Sequence, residues 1–345
     1  MHGVRRQPRP PEGVRAERKE KELEKIKSYT ALTKAILDRR NAKDYSNEAL
    51  ESTTRLLQLN PEFYTIWNYR REIFLRGLFP NSAPKDVNRF LQDDLAFTLS
   101  ALKEHPKVYW IWNHRRWCLE QIPPDYSEDE GTEPLHWQRQ TWNRELTVVE
   151  KMLDADARNF QAWNYRRYVL KSMPPPGPST PARTPATELA YTQKKIESNF
   201  SNFSAWHQRS KVLSSPRINH TLMLTSMVEF DFVVQAMYTD PNDQSAWLYH
   251  RWLISLTTDL SVIEREIKII EELLQEEPES KWCLESLIQY NTLVARLAAE
   301  SGDGRFARQS EIGAMLTKLK SIDPMRKARY IDMLHALDDI PSEEH

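Results

Sequence analysis

The chain has 345 residues, of which 48 are Lys or Arg and 49 are Asp or Glu, so the formal net charge is -1. This balance gives no general electrostatic attraction to nucleic acid or to an anionic membrane. Only 8 residues are glycine, which disfavours glycine-rich phosphate loops and tight β-hairpins and favours helix. No apolar run reaches the roughly 18 residues that a membrane span requires, so none is expected.

The two cysteines, Cys118 and Cys283, provide neither a disulfide framework nor a cysteine-based zinc motif. They fit a reducing compartment, and the N-terminus lacks the apolar core of a signal peptide. We therefore expect a cytoplasmic protein. The chain also lacks His-Glu-x-x-His, Gly-x-Ser-x-Gly and the phosphate-loop motifs, so the residues alone indicate an interaction protein rather than a self-sufficient enzyme.

Residues 1–15 are rich in arginine and proline and show no apolar periodicity, which predicts a flexible basic tail. From Ala16 the chain becomes dense in Glu and Lys and then gains apolar residues at helical spacing, which predicts a helix at the end of a larger helical domain. We place this domain at residues 16–340. Within it, Gln121–His136 and Ser172–Thr187 are proline-rich and are predicted to be disordered insertions.

A large apolar residue, tryptophan in five of seven places, recurs through this domain at intervals of 45, 51, 43, 41, 37 and 46 residues. The seven repeats are centred on Trp67, Trp112, Trp163, Trp206, Trp247, Leu284 and Tyr330. Each one begins with an amphipathic segment, breaks at a pair such as Asn-Pro or Asp-Pro, and continues as a second helix. The pattern predicts an all-α array of two-helix units with loops of different length.

The recurring tryptophan is predicted to anchor the core between the helices of neighbouring units. An arginine follows it three residues later in four repeats, at Arg70, Arg115, Arg166 and Arg209. That offset places the arginine one helical turn away on nearly the same face. Two interpretations stay open: these arginines pair with carboxylates of the neighbouring unit, or they form a basic stripe that faces a phosphate or an acidic partner.

The repeat Pro-x-x-(Tyr/Phe)-x-x-Trp-(Asn/His)-x-Arg-(Arg) resembles the repeat of protein prenyltransferase α subunits, and the resemblance covers about residues 20–335. The period differs from that of tetratricopeptide arrays, which is about 34 residues. Residues 199–203, 240–253 and 277–284 look most like the Rab geranylgeranyltransferase (type II) branch of that family.

The resemblance implies a crescent-shaped, right-handed superhelix (solenoid) of about seven α-helical hairpins that wraps around a β subunit. In the family the β subunit binds the catalytic zinc, and the α chain alone binds none. The heterodimer transfers geranylgeranyl from geranylgeranyl diphosphate to C-terminal cysteines of Rab GTPases that a Rab escort protein presents. His2, near the start of the chain, is a speculative ligand to the partner's zinc.

The same resemblance implies that Lys107 and Tyr109 face the isoprenoid diphosphate, where the lysine assists its departure. Lys107 is the only lysine at its offset within the repeats, which favours a functional role over a solvated surface one. Asn159, Phe160 and Gln161 match a substrate-binding patch near the same site. Farnesyltransferase-type relatives have Tyr and His where this chain has the last two of these, so a side-chain donor is less expected there.

Two alternatives remain at this stage. The chain could be the shared α subunit of farnesyltransferase and type I geranylgeranyltransferase, or it could be a non-enzymatic helical-repeat scaffold. Modification of a Cys-a-a-X peptide without an escort protein would favour the first, and no stimulation of any prenyl transfer would favour the second.

Overall fold

The structure is a computed structural model that describes residues 11–124, 135–177, 182–215, 228–300 and 309–338. Across these residues it contains fifteen α-helices and no strand. In chain order they are α1 (Glu12–Asn41), α2 (Asn47–Leu59), α3 (Tyr64–Ile73), α4 (Pro84–Glu104), α5 (Tyr109–Gln121), α6 (His136–Ala155), α7 (Phe160–Ser172), α8 (Pro185–Ser198), α9 (Phe203–Leu213), α10 (Val228–Thr239), α11 (Gln244–Ile254), α12 (Leu260–Glu276), α13 (Lys281–Glu300), α14 (Gln309–Ile322) and α15 (Lys327–Asp338). None of them is both long enough and apolar enough to cross a membrane.

After α1 the described helices pair in sequence as seven hairpins, from α2 with α3 to α14 with α15. The chain divides into two compact units. The first spans residues 1–182 and contains α1 and three hairpins, and the second spans residues 183–345 and contains four hairpins. The prediction of an all-α array of about seven helical hairpins is therefore confirmed.

Helix α1 begins at Glu12, inside the stretch that the sequence assigned to a basic tail, and residues 1–10 lie outside the described part. Most of α1 is exposed, and Ile36 is its buried anchor. Most of the first predicted proline-rich insertion lies outside the described residues, at 125–134, whereas only residues 178–181 of the second do. In the second, residues 173–177 have no regular secondary structure, and the helix α8 already begins at Pro185.

The turn inside four of the first five hairpins is closed by an Asn or Asp side chain. Its carboxamide or carboxylate oxygen accepts a hydrogen bond from the backbone N–H two residues later, which is the geometry of an Asx turn. These bonds are Glu62 N–H to Asn60 (3.1 Å), Arg158 to Asp156 (3.1 Å), Ser201 to Asn199 (3.0 Å) and Asn242 to Asp240 (3.0 Å). In the second hairpin His105 occupies this position.

A second hydrogen bond to the turn comes from the tryptophan of each of the first five repeats. Each indole ring is at most 4% exposed, and each Nε1–H donates to the backbone carbonyl six residues earlier. The bonds run from Trp67 to Pro61 (2.8 Å), Trp112 to Pro106 (3.0 Å), Trp163 to Ala157 (3.0 Å), Trp206 to Phe200 (2.8 Å) and Trp247 to Pro241 (2.9 Å). The ring thus fills the core while its N–H satisfies a carbonyl that the turn leaves without a helical partner.

The last two hairpins use other residues at the tryptophan position. Leu284 and Tyr330 are both buried and belong to one apolar cluster with Ile312, Leu316 and neighbouring side chains. The Tyr330 hydroxyl lies 2.8 Å from Glu285 and 3.0 Å from Asp323, so it bonds to carboxylates rather than to a turn carbonyl. In these two hairpins the residue at the tryptophan position still packs in the core, but it does not donate a hydrogen bond to the turn carbonyl.

Replacing Trp163 by Ala is expected to lower the free energy of unfolding by about 3–5 kcal/mol, because it removes a buried ring and its bond to the turn. Trp163→Phe is the matched control: it keeps most of the packing and loses the N–H donor, so a smaller loss of about 1–2 kcal/mol is expected. Urea unfolding of both variants measures the difference. A loss below about 1 kcal/mol for the Ala variant would contradict the anchoring role.

Candidate functional site

The turn of the second hairpin, which carries Lys107, is fixed from two sides. The Pro106 carbonyl accepts a hydrogen bond from Trp112 Nε1 of its own hairpin at 3.0 Å. It accepts another from Asn159 Nδ2, in the turn of the third hairpin, at 3.1 Å. The carbonyl directly before Lys107 is therefore held by both hairpins, which ties the two turns together.

Asn159 is 2% exposed, and the rest of its carboxamide is used inside the protein. Its side-chain oxygen accepts from the backbone N–H groups of Gln161 (3.0 Å) and Ala162 (3.2 Å), which caps the N-terminus of α7. Gln161 is also buried, at 8% exposed. Asn159 therefore caps α7 and holds the Pro106 carbonyl of the neighbouring turn, and its predicted contact with substrate stays a prediction.

Lys107, Tyr109 and Phe160, the other three predicted site residues, face solvent. The Lys107 side chain is 71% exposed, and its Nζ lies 3.5 Å from Asp156 Oδ2. Tyr109 and Phe160 are 56% and 61% exposed and are the first residues of α5 and α7. An exposed ion pair contributes little in water, so the ammonium can move from Asp156 to a more highly charged anion.

An exposed aromatic residue opens the second helix in each of the first four hairpins. These residues are Tyr64, Tyr109, Phe160 and Phe203, each more than half exposed. Exposed aromatic rings repeated at one structural position are typical of protein interfaces. In the first unit the Tyr64 ring also packs against Trp110, at 5.3 Å between centroids.

The repeated arginines lie on the buried side of the hairpins. Arg70, Arg115, Arg166 and Arg209 are each at most 5% exposed. Arg70 pairs with Asp94, Arg115 with Glu145 and Arg209 with Glu229, and each of these carboxylates belongs to the first helix of the next hairpin. Arg166 donates to Glu150 of its own hairpin at 3.1 Å. Buried guanidinium groups do not form a basic stripe, so the geometry favours pairing.

Arg115 shows how one side chain joins three helices. Its Nε and Nη2 donate to the Glu145 carboxylate at 2.8 and 2.7 Å, and its Nη1 donates to the Leu95 carbonyl at 2.6 Å and to Thr98 Oγ1 at 2.9 Å. Burial alone lowers the pKa of Arg115, but the Glu145 carboxylate raises it well above its ordinary value. The guanidinium therefore stays charged inside the array.

Comparison with known proteins agrees with this repeat geometry. The repeat described as "Protein prenyltransferase alpha subunit repeat" matches residues 46–77, 91–122, 142–173, 185–216 and 227–257, and each segment holds one of the five tryptophans. A protein of Schizosaccharomyces pombe, described as "Geranylgeranyl transferase type-2 subunit alpha", is 37% identical over 360 residues, which cover 99% of both chains. The chain belongs to the protein prenyltransferase α-subunit family.

Other members of the family carry the same type-2 description. The Candida albicans protein is 34% identical over 384 residues, with 97% of each chain covered. The mouse protein is 38% identical over 264 residues, which cover 74% of this chain and 42% of the mouse chain. The predicted resemblance to the type-2 branch is therefore confirmed.

A comparison with solved structures concerns the fold. The solved structure titled "Candida albicans protein geranylgeranyltransferase-I complexed with GGPP" superposes with a TM-score of 0.65 and 22% identity, and it covers 90% of this chain and 91% of the solved one. At this identity the likeness shows that the two chains share a fold, and no more.

Asp94, His114 and Cys118 form a buried group with metal-ligand chemistry, which raises the question of a zinc site. His114 Nε2 lies 2.5 Å from Asp94 Oδ2, whereas two zinc ligands in a tetrahedral site are separated by about 3.3 Å. The other Asp94 oxygen is bound by Arg70, and His114 Nδ1 accepts from Arg71 Nε at 3.2 Å. These contacts fit a hydrogen-bonded ion-pair network and do not fit a metal. His2, the speculative zinc ligand, lies outside the described residues.

Sequence reasoning missed the partners of the repeated arginines. A threonine lies seventeen residues before three of them, at Thr53, Thr98 and Thr192, and accepts from the guanidinium. The acidic partners Asp94, Glu145 and Glu229 adjoin apolar core residues of the next hairpin. Two signals in the sequence could have identified these partners: the threonine at a constant offset before the arginine, and the carboxylate within an otherwise apolar helix face.

Asp94→Asn is expected to lower the free energy of unfolding by about 3–5 kcal/mol at pH 7, because it leaves the Arg70 charge buried without its carboxylate. Glu17→Gln is the control, since it breaks an exposed pair with Lys21 and is expected to change little. Urea unfolding compares the two variants with the natural protein.

The pH dependence of the Asp94→Asn effect has a definite sign. Burial alone raises the pKa of Asp94, but Arg70 and His114 hold it well below its ordinary value. A carboxylate with a depressed folded pKa stabilises the protein fully above its unfolded pKa of about 3.9, and this contribution is lost as the pH falls toward the folded value. The stability difference should stay constant from pH 8 to about pH 5 and shrink below pH 4. A difference that already shrinks between pH 7 and pH 5 would contradict the assignment.

Proposed function

We propose that this chain is the α subunit of a type-2 protein geranylgeranyltransferase and acts as a heterodimer with a β subunit. The heterodimer transfers geranylgeranyl from geranylgeranyl diphosphate to C-terminal cysteines of Rab GTPases that a Rab escort protein presents. The main support for this proposal is the type-2 description of two relatives, from Schizosaccharomyces pombe and Candida albicans, that match almost the whole chain. Cys118 and Cys283 are free and buried, which suits the reducing cytoplasm.

The β subunit supplies the zinc and most of the lipid pocket in this arrangement. A thiol that binds zinc is deprotonated, which makes the acceptor cysteine nucleophilic. The hydrogen-bonded Asp94 group of this chain fits an ion-pair network better than a metal site, which supports placing the zinc on the β subunit. The exposed rings of Tyr64, Tyr109 and Phe160 provide a surface of the kind that a partner chain covers.

Lys107 is the residue of this chain that assists the chemistry. As the cysteine sulfur bonds to the first carbon of the isoprenoid, the bond from that carbon to the diphosphate oxygen breaks and negative charge gathers on the diphosphate. An ammonium directed at that oxygen stabilises the charge. The hydrogen bonds from Trp112 and Asn159 to the Pro106 carbonyl hold the turn in place. The exposed Lys107 ammonium lies 3.5 Å from Asp156 and can exchange this weak contact for the diphosphate. Tyr109 lies two residues further on and is exposed beside it.

Reconstitution tests the proposed function. The purified chain is mixed with a type-2 β subunit, radiolabelled geranylgeranyl diphosphate, a Rab GTPase and escort protein, and label on the Rab is counted. Transfer should require both subunits and should be far greater with Rab and escort than with a Cys-a-a-X peptide. Preferential transfer to the peptide without escort would instead favour the shared α subunit of farnesyltransferase and type I geranylgeranyltransferase. Transfer by this chain alone would contradict the division of labour.

Lys107→Ala is expected to leave the heterodimer intact and slow the single-turnover transfer step about 10- to 150-fold, because one charged hydrogen bond to the leaving diphosphate is worth about 1.5–3 kcal/mol. Lys107→Arg should recover part of the rate. Lys103→Ala removes an exposed lysine from the last turn of α4 and serves as the matched control. An unchanged rate under saturating lipid would remove Lys107 from the mechanism.

A further inference from the structure

A cavity of about 550 Å³ lies in the second unit, lined by α11, α13, α14, α15 and the segment that follows α11. Its volume falls within the range of small-molecule sites in proteins, about 300–1,000 Å³. None of the residues that we propose to assist transfer lines it. The cavity therefore requires its own explanation.

One part of the cavity is apolar. Leu316 and Leu319 of α14 are fully buried and form part of its inner wall. Leu293 and Leu297 of α13 and Met333 of α15 continue this surface outward, where they are partly exposed. A hydrocarbon chain placed against these side chains would leave water at about 25 cal/mol for each Å² that it buries.

The rim of the same cavity is positively charged. Arg296 of α13 and Arg329 of α15 line the cavity and are exposed, so they lie at its opening. Neither forms an ion pair with any residue in the described part of the chain. Arg251 differs, because it is paired with Glu285 at 3.2 Å. The opening therefore carries two cations whose charge the described carboxylates do not balance.

We propose that this cavity binds a single-chain lipid with a phosphate head group. Two guanidinium groups on different helices suit the oxygens of a phosphate, which Arg binds in bidentate geometry. The apolar wall behind them suits one extended hydrocarbon chain rather than a flat or strongly polar molecule. Two lipid sources share this chemistry: an isoprenoid diphosphate and a lysophospholipid.

Titration calorimetry on the intact heterodimer tests the cavity with two probes, oleoyl lysophosphatidic acid below its micelle concentration and geranylgeranyl diphosphate. The Arg296→Glu/Arg329→Glu variant should weaken lysophosphatidic acid binding at least tenfold, or remove a second geranylgeranyl diphosphate site. The first outcome assigns the lysophospholipid source, and the second assigns the isoprenoid source. Lys318→Glu/Lys327→Glu, the same charge change on α14 and α15 outside the cavity lining, is the matched control and should bind as the natural protein does.

Leu293→Trp provides an independent test, because it fills the apolar part and leaves both arginines in place. It should weaken lipid binding at least tenfold without changing the melting temperature of the complex. Inorganic diphosphate alone should bind at least tenfold more weakly than either lipid. Equal lipid binding by the arginine variant and its control would overturn the inference. It would also be overturned if no lipid bound beyond the one molecule at the active site, or if inorganic diphosphate bound as tightly as the lipids.

Discussion

The hydrogen bond between a buried indole and the carbonyl six residues earlier is the contact on which the first five hairpins depend. The tryptophan at the centre of each repeat contributes its ring to the core and its N–H to the turn. The turn carbonyl has no hydrogen-bond partner within a helix. Without the indole N–H it would be buried with no donor, which costs about 1–3 kcal/mol. One side chain thereby couples the packing of a hairpin to the shape of its turn.

Ion pairs between hairpins add a second constraint. A guanidinium from the second helix of one hairpin reaches the carboxylate of the next hairpin's first helix, as in Arg70 with Asp94 and Arg209 with Glu229. Such pairs add little net stability over an apolar contact, but breaking one leaves a buried charge. They therefore favour one stacking register of neighbouring hairpins over alternatives, which keeps the turns of adjacent hairpins in a fixed relation.

The sequence predicted the hairpins because the signal is repeated: the proline or Asx break and the tryptophan recur at similar spacing. It predicted Lys107 as a candidate by its uniqueness at one offset and by resemblance. It did not predict that Asn159 is buried and bound to the Pro106 carbonyl, because that bond joins residues 53 apart in neighbouring hairpins. The cavity of the second unit was also missed, because its lining comes from the last three hairpins, two of which lack the tryptophan pattern.

The role proposed for Lys107 depends on precise placement more than on unusual reactivity. Lys107 is an ordinary exposed lysine beside Asp156, and what distinguishes it is the turn that carries it. Rigid placement of a charge avoids reorganisation during the reaction, which is the main advantage of preorganised electrostatic stabilisation. In the proposed function, the array of helices is a scaffold that presents one cation to a lipid held by the β subunit.

Amide hydrogen exchange at the turns of the second and third hairpins tests this claim most directly. The Val108 N–H donates to the His105 carbonyl at 3.2 Å, and the Asn159 N–H donates to the Asp156 carbonyl at 3.1 Å. In the natural heterodimer both amides should be protected to nearly the same degree as the flanking helices, and Trp112→Phe should accelerate exchange at Val108 far more than within α5. Exchange of both turn amides at the rate of an unstructured peptide in the natural protein would contradict the account.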